Sequence, residues 1–405
     1  MKPIVIAPHS LFLPVVKQMV ADIGKELPIY ALHPAFAKNL QDIDIAAKSL
    51  GDVVDQEVRA RSFQEAARVL STVRRPRAGP DGLDEGALAF LENGLAGFLY
   101  PRLGDLALLA LSLDKVQPGL ILLHNDVEPM MRLAALWARA HGVPCLHVPH
   151  AIYLDNPGRG PAGTDVHDLI SASYLAAAGP YQRGWYEERG AVPDNIRETG
   201  LPQYDKWAMI KFGHEQARAI LKAERLRPLI VYASSWRQDT NLLGCHDGVE
   251  ESYRAFLQAA CSIGGAQFLV KTHPNGRNDD WHLEQAKAAG ISCMVTSMHL
   301  EVVLAAADVV VAYGPSNLLM EAASIPGLRL LCIGGFADDP EVLSIPEEAD
   351  QSKQTQLLAQ AIGKALSGQQ PNTLNFRLKY MGVPDGQAYL RVAKFVGELW
   401  ASSSP

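Results

Sequence analysis

The chain has 405 residues, 48% of them hydrophobic and 20% charged, with a formal net charge of -7. That length suits two domains of about 200 residues, and the composition is that of an ordinary globular protein. The acidic balance excludes a general nucleic-acid binder, and five singly spaced cysteines without a CxxC pair argue against a disulfide scaffold or a cysteine zinc site. Most of these cysteines lie in apolar stretches and read as core residues of a protein from a reducing compartment, the cytoplasm. The basic runs Arg74-Arg75-Pro76-Arg77 and Arg225-Leu226-Arg227 read as solvated loop charge.

In chain order, short runs of Val, Ile and Leu alternate with longer amphipathic stretches, the pattern of a doubly wound parallel sheet. The opening run before Pro8 is too short for a signal-peptide core and predicts a first strand over Pro3–Ala7. Further strands are predicted over Ile29–Leu32, Leu120–Leu123 and Cys145–Val148. Helices are expected over Leu13–Ile23, Ser62–Leu70, Glu85–Leu113 (broken) and Met130–His141, with a connector over Arg74–Asp84. The second half repeats the pattern. Strands are predicted over Pro228–Tyr232, Gln267–Lys271, Cys293–Val295, Val309–Val311 and Leu328–Cys332. Helices are predicted over Tyr253–Ile263, Asp280–Ala289, His299–Ala306, Ser316–Ser324 and Gln354–Leu366. A break at Pro371–Asn375 precedes a last helix over Gly386–Trp400. No stretch reaches the ~20 apolar residues of a membrane span. The reading is an α/β protein of two Rossmann-like domains, over 1–202 and 203–385.

Open parallel sheets bind ligands beyond the carboxyl ends of their strands, so chemistry is sought after each strand. After Gln267–Lys271 comes Lys271-Thr272-His273-Pro274, where proline stops the strand and presents His273 beside Lys271 and Arg277 as a phosphate ligand. After Val309–Val311 comes Ala312-Tyr313-Gly314-Pro315-Ser316-Asn317. Ser316 or Asn317 caps the next helix at an anion-attracting terminus, and Glu321 lies one turn in, as a carboxylate for ribose hydroxyls. After Pro228–Tyr232, Arg237 is a bidentate phosphate binder, and Asp239 is a nucleophile, an acid or an ion-pair partner. In the first half, Asp126 and Glu128 follow Leu123, His150 follows Val148, and His9 follows the first strand, which suits general acid–base work from the opposite wall. Walker A, GxSxG and GxGxxG signatures are absent from the sequence, and the His and Asp spacings do not indicate a metal, so no cofactor or metal is expected.

Five blocks in order resemble the CDP-glycerol glycerophosphotransferases and capsule-type transferases of bacterial surface-polysaccharide assembly. They are His124-Asn125-Asp126 through Val148-Pro149-His150, Gly200-Leu201-Pro202-Gln203-Tyr204-Asp205, Tyr232-Ala233-Ser234-Ser235-Trp236-Arg237, Lys271-Thr272-His273-Pro274, and Gly314-Pro315-Ser316 through Glu321-Ala322. The H-P and Ser motifs also resemble bacterial sialyltransferases and Kdo transferases. The resemblance implies a GT-B fold with 1–202 as the acceptor domain, the donor nucleotide in the C-terminal domain 203–385, and the last helix crossing back to the first. Arg237, His273 and Ser316 would hold the donor phosphate, Glu321 the ribose, and His150 would sit at the reacting centre, with Asp239 the attacking carboxylate if a retaining Kdo-type reaction applies. Ala151 stands where the family has Gly after the histidine, and Pro315-Ser316 where it has a double Ser, which weakens the glycerophosphotransferase reading in particular. The implied activity is transfer from a nucleotide-activated sugar, CMP-Kdo or a related CMP-sugar favoured, to a surface-polysaccharide or lipopolysaccharide acceptor. A lipid-linked acceptor would put the enzyme on the cytoplasmic face of the inner membrane. A CDP-glycerol-type transferase, a UDP-sugar 2-epimerase and a non-catalytic GT-B binding module are the alternatives.

Overall fold

The computed structural model describes residues 1–72, 102–125, 128–152, 170–210, 213–234, 248–273, 279–314, 316–346, 350–368 and 372–403. The connector 74–84, Cys245, Arg237, Asp239 and Asp126 lie outside the described residues.

The first half builds β1 (Ile4–Ile6), α1 (Phe12–Ile23), β2 (Ile29–Ala31), α2 (Pro34–Gln41), β3 (Ala47–Ser49), α3 (Gln56–Thr72), α4 (102–116), β4 (Leu120–Leu123), α5 (Pro129–Ala140), β5 (Cys145–His147), β6 (Tyr174–Ala177), α6 (Pro180–Glu188) and β7 (Ile196–Glu198). Its seven strands are all parallel, in the order β3-β2-β1-β4-β5-β6-β7. β1, β4 and β5 are fully buried, as expected of central parallel strands covered on both faces. β3, β6 and β7 were not legible in the sequence. Two lie at the sheet edges and carry Lys48 or Arg197-Glu198, and the third is a four-residue run of Tyr, Leu and two alanines, so none has an extended aliphatic signature.

The second half builds α7 (His214–Leu221), β8 (Leu229–Ala233), α8 (Gly248–Cys261), β9 (Gln267–Lys271), α9 (Asp279–Ala288), β10 (Cys293–Thr296), α10 (Leu300–Ala306), β11 (Val309–Tyr313), α11 (Asn317–Ala323), β12 (Arg329–Ile333), β13 (Val342–Ile345), α12 (Gln351–Ser367), α13 (Leu374–Met381) and α14 (Ala388–Ser403). Six parallel strands run in the order β10-β9-β8-β11-β12-β13. The break expected at Pro371–Asn375 is instead a helix start: the Asn372 carboxamide oxygen accepts from Leu374 N at 3.1 Å and opens α13. Cys145 and Cys332 are buried as expected, but Cys261 is exposed because it ends α8 on the solvent side.

A 3-10 segment over Pro202–Met209 leaves the first sheet, and α14 returns to it. Val392, Phe395, Val396 and Leu399 of α14 are buried in the same core as β1, β4 and α1. Full burial of such side chains contributes about 1.5–3 kcal/mol each. The Asp205 carboxylate accepts from Ala388 N and Tyr389 N, both at 2.9 Å, and so caps α14. Arg391 on the same helix donates to Thr199 O at 2.7 Å. Before α14 the chain passes tightly over the first domain at Gly382 (φ 73°), where an added Cβ would lie 2.3 Å from Ala178 O; only glycine fits that approach. Among the described residues no helix is long and apolar enough to cross a membrane.

Candidate functional site

Both sheets reverse their strand order once, between β1 and β4 in the first and between β8 and β11 in the second. Such switch points open a crevice beyond the strand ends. At the first, the chain leaves β1 into His9, leaves β4 into His124-Asn125 and leaves β5 toward His150. At the second, β8 ends at Ser234 and β11 leads through Gly314 to Ser316, with Lys271 and His273 at the end of neighbouring β9.

The two edges meet. Ile152 N donates to Asn317 Oδ1 at 2.8 Å, Asn317 Nδ2 donates to Ile152 O at 3.2 Å, and the Tyr204 hydroxyl donates to the same Oδ1 at 2.9 Å. This amide therefore ties the loop after β5, the interdomain segment and the start of α11 together. The Asn317 carboxamide, expected at the donor, thus makes three hydrogen bonds to two residues, Ile152 and Tyr204. The loop is also held from beneath by Gln203 Nε2, which donates to Pro149 O at 3.3 Å, and by Gln182 Nε2, which donates to Ala151 O at 3.5 Å. His150 and Ser316 consequently flank one junction, each within two residues of the clamp.

His9, His124 and His150 form a cluster, with ring centroids 4.9 Å apart for His9–His124 and 5.7 Å for each of the other two pairs. Local hydrogen bonds decide their tautomers. Leu11 N donates to His9 Nδ1 at 3.2 Å, which leaves the His9 proton on Nε2. The Asn125 carboxamide is oriented by Glu128 N, which donates to its Oδ1 at 3.1 Å, so its Nδ2 faces His124 Nε2 at 3.1 Å and donates. The His124 proton is then on Nδ1, a buried atom with no partner among the described residues. His150 Nδ1 lies 3.3 Å from His124 O and donates there, which leaves Nε2 of this exposed ring as an acceptor. Burial, reinforced by the neighbouring imidazoles, lowers the His124 pKa to about 3. Burial first, and His150 second, also hold His9 below the usual histidine range. The pair are neutral at pH 7. The cluster thus offers the His9 Nε2–H as a neutral donor beside the exposed His150 ring.

Glu128 stands exposed at the N-terminus of α5, engaged through its backbone with Asn125, and its side chain is not part of the cluster. Among the described residues no group of three His, Cys, Asp or Glu side chains is arranged to hold a metal ion.

On the opposite wall, the Ser316 hydroxyl accepts from Leu318 N at 3.3 Å and caps α11. Lys271 donates to Thr272 O at 2.7 Å, and burial, only partly offset by Asp279, lowers its pKa. His273 is half-buried, and burial and then Lys271 hold its pKa down. Glu321 is more deeply placed than its position one turn into a helix suggests: burial raises its pKa to about 7, against the opposing pull of Lys206. The Trp207 indole N–H also pulls the Glu321 pKa down, more weakly than Lys206. Lys206 itself pairs with Glu301 at 2.6 Å.

Sequence reading missed one polar pair here. His282 on α9 is buried, with Nε2 3.1 Å from the Ser234 hydroxyl at the end of β8. A Trp-His step in an amphipathic helix gives no signal of such a contact, because the partner lies 48 residues away.

No protein-family model and no curated sequence matches the chain. Solved structures do. A Listeria monocytogenes protein assigned as a UDP-N-acetylglucosamine 2-epimerase aligns over 100% of this chain and 98% of its own, with 14% identity and a TM-score of 0.59. The UDP-GlcNAc 2-epimerase of Neisseria meningitidis, bound to UDP-GlcNAc, aligns over 99% and 100% with 13% identity and a TM-score of 0.54. MurG of Acinetobacter baumannii aligns over 98% and 100% with 11% identity and a TM-score of 0.50. The chain has the GT-B fold. At such identities the likeness speaks for the fold alone.

Proposed function

We propose that this GT-B protein is an enzyme of nucleotide-activated sugars that transfers the sugar to an acceptor hydroxyl. The observation that supports the reading is the Asn317–Ile152 clamp, which joins the loop after His150 in one domain to the start of α11 beside Ser316 in the other. His150 Nε2 is the general base for the acceptor proton, and the His9 Nε2–H donates to a sugar or acceptor oxygen. Lys271, His273 and Ser316 receive the donor phosphate, and Glu321 the ribose, with Arg237 as a further phosphate ligand. Asp239 and Asp126 remain the carboxylates nominated for a nucleophile or acid. The motif resemblance supports a cytidine donor, CMP-Kdo or a related CMP-sugar, and a surface-glycan acceptor at the inner membrane.

A second reading, a UDP-sugar 2-epimerase, is supported by the end-to-end alignment with solved epimerases, one of them holding UDP-GlcNAc. The two reactions differ at one bond. Inverting carbon 2 breaks its C–H bond and exchanges that proton with solvent, whereas glycosyl transfer leaves the bond intact. Incubation with UDP-GlcNAc in D2O, read by mass and NMR, separates them: deuterium at carbon 2 without an acceptor establishes the epimerase and overturns the transferase. A thermal-shift panel of CMP, CDP, UDP and GDP identifies the base, since a ligand of the native state raises its apparent stability. No shift with any of the four, and no deuterium uptake, overturns both readings in favour of a binding module.

A further inference from the structure

A groove of about 530 Å³ opens on the hinge, lined by the interdomain segment, the end of α10, the turn after α11 and α13. Arg377 of α13 contributes to its wall together with Trp207, His214, Ser324 and Pro326. The Arg377 side chain makes no hydrogen bond and no ion pair among the described residues, and its Nε is a buried donor without a partner. Burial lowers its pKa, and no carboxylate acts in the opposite direction. The other arginines at the hinge differ. Arg218 pairs with Asp308 and donates to four backbone carbonyls, and Arg391 pairs with Asp385 at 2.7 Å and donates to Thr199 O. A guanidinium drawn half out of water costs free energy unless an anion compensates it, and proteins ordinarily supply one. No Asp or Glu lines this groove. What does line it beside Arg377 is a further donor, the Ser324 hydroxyl, on a wall otherwise apolar except for His214, whose Nε2 faces Asp308 Oδ1 at 3.6 Å. The Ser324 hydroxyl has only a 3.9 Å contact to Met381 Sδ, so it is available to a stronger acceptor.

We propose that this groove is a second anion site, anchored by Arg377 and separate from the cleft, that takes the phosphate group of a soluble phosphomonoester. The two arms of the Arg377 fork and the Ser324 hydroxyl exceed what the two oxygens of a carboxylate need and match the three terminal oxygens of a phosphate. The apolar remainder of the groove seats the body that carries the phosphate. The ligand would bridge the interdomain segment and α13, the two stretches that join the domains. The inference does not depend on what the cleft binds.

The test is titration of inorganic phosphate at constant ionic strength, read by 31P NMR and calorimetry, in the wild type, in Arg377→Met and in the cleft variant His273→Ala/Ser316→Ala. The cleft variant is expected to keep one phosphate site. Arg377→Met is expected to weaken that site roughly tenfold or more, as loss of a charge-assisted contact implies. Equal affinity in Arg377→Met and wild type overturns the proposal, as does loss of all phosphate binding in the cleft variant. If Arg377→Met fails to fold, Arg377→Lys keeps the charge and removes the fork, and unchanged phosphate affinity in that variant overturns the proposal in the same way. Citrate bound more tightly than phosphate overturns the phosphate assignment.

Discussion

The two walls of the cleft have the same architecture and opposite proton chemistry. In the first domain, burial strips charge from imidazoles: His124 is held down to about 3 and His9 below its usual range. In the second, burial strips charge from a carboxylate, with Glu321 raised to about 7 from an ordinary 4.5. Both are desolvation, acting on a base in one case and on an acid in the other. The lesson is that a parallel sheet with a switch point supplies a position and no particular chemistry; the residue that follows each strand, and how deeply it is withdrawn from water, decides whether the wall handles protons or anions.

The comparison breaks or sharpens most visibly at His150. His150→Ala should reduce turnover by about 10²- to 10⁴-fold, the range of a lost general base, while nucleotide affinity by calorimetry stays unchanged. A fall in nucleotide affinity instead would mean that the first wall also binds the donor. The converse holds for His273→Ala, which should lose donor binding, by roughly tenfold or more in Kd, because a phosphate then faces a strand end without its imidazole. Unchanged affinity in that titration would remove His273 from the phosphate site.

Proton linkage gives the next contrast, and its signs are opposite on the two walls. The folded pKa of His124 is below its unfolded value of 6.5, so its contribution to stability is present above 6.5 and is lost as pH falls toward 3. Glu321 is raised, so its contribution is full below 4.5 and is lost as pH rises through 7. Chemical denaturation between pH 4.5 and 8 should therefore show Glu321→Gln gaining stability over the wild type at the alkaline end, on the order of 2–3 kcal/mol. A variant that tracks the wild type at every pH would mean that Glu321 is solvated or fully paired. The smallest effect belongs to Glu128→Gln. That side chain is exposed at a helix start, so stability should move by no more than about 0.5 kcal/mol and turnover should stay near the wild-type value. A large loss of activity there would extend the first wall outward beyond the histidines.

Much of this was open to a reader of the sequence. Pro274 after Gln267–Lys271 and the Ser316 cap before α11 are local signals, carried by a missing N–H and by a hydroxyl two residues from the amide it serves. The aliphatic runs of β1, β4, β8 and β11 are equally local, and with them came the two Rossmann-like halves and His9 and His150 at the strand ends, whereas His124 was passed over for Asp126 and Glu128 beside it. The short edge strands β3, β7 and β13 escaped because four residues or fewer with polar members have no periodicity to detect. Tertiary structure alone decided the rest. The protons of His9, His124 and His150 are assigned by backbone and carboxamide partners that meet only on folding. Asn317 became a clamp because Ile152 and Tyr204 reach it from 165 and 113 residues away. Glu321 left the carboxylate range, and Arg377 was left without a counter-charge, because solvent exclusion belongs to the packed molecule and is written in no local stretch of chain.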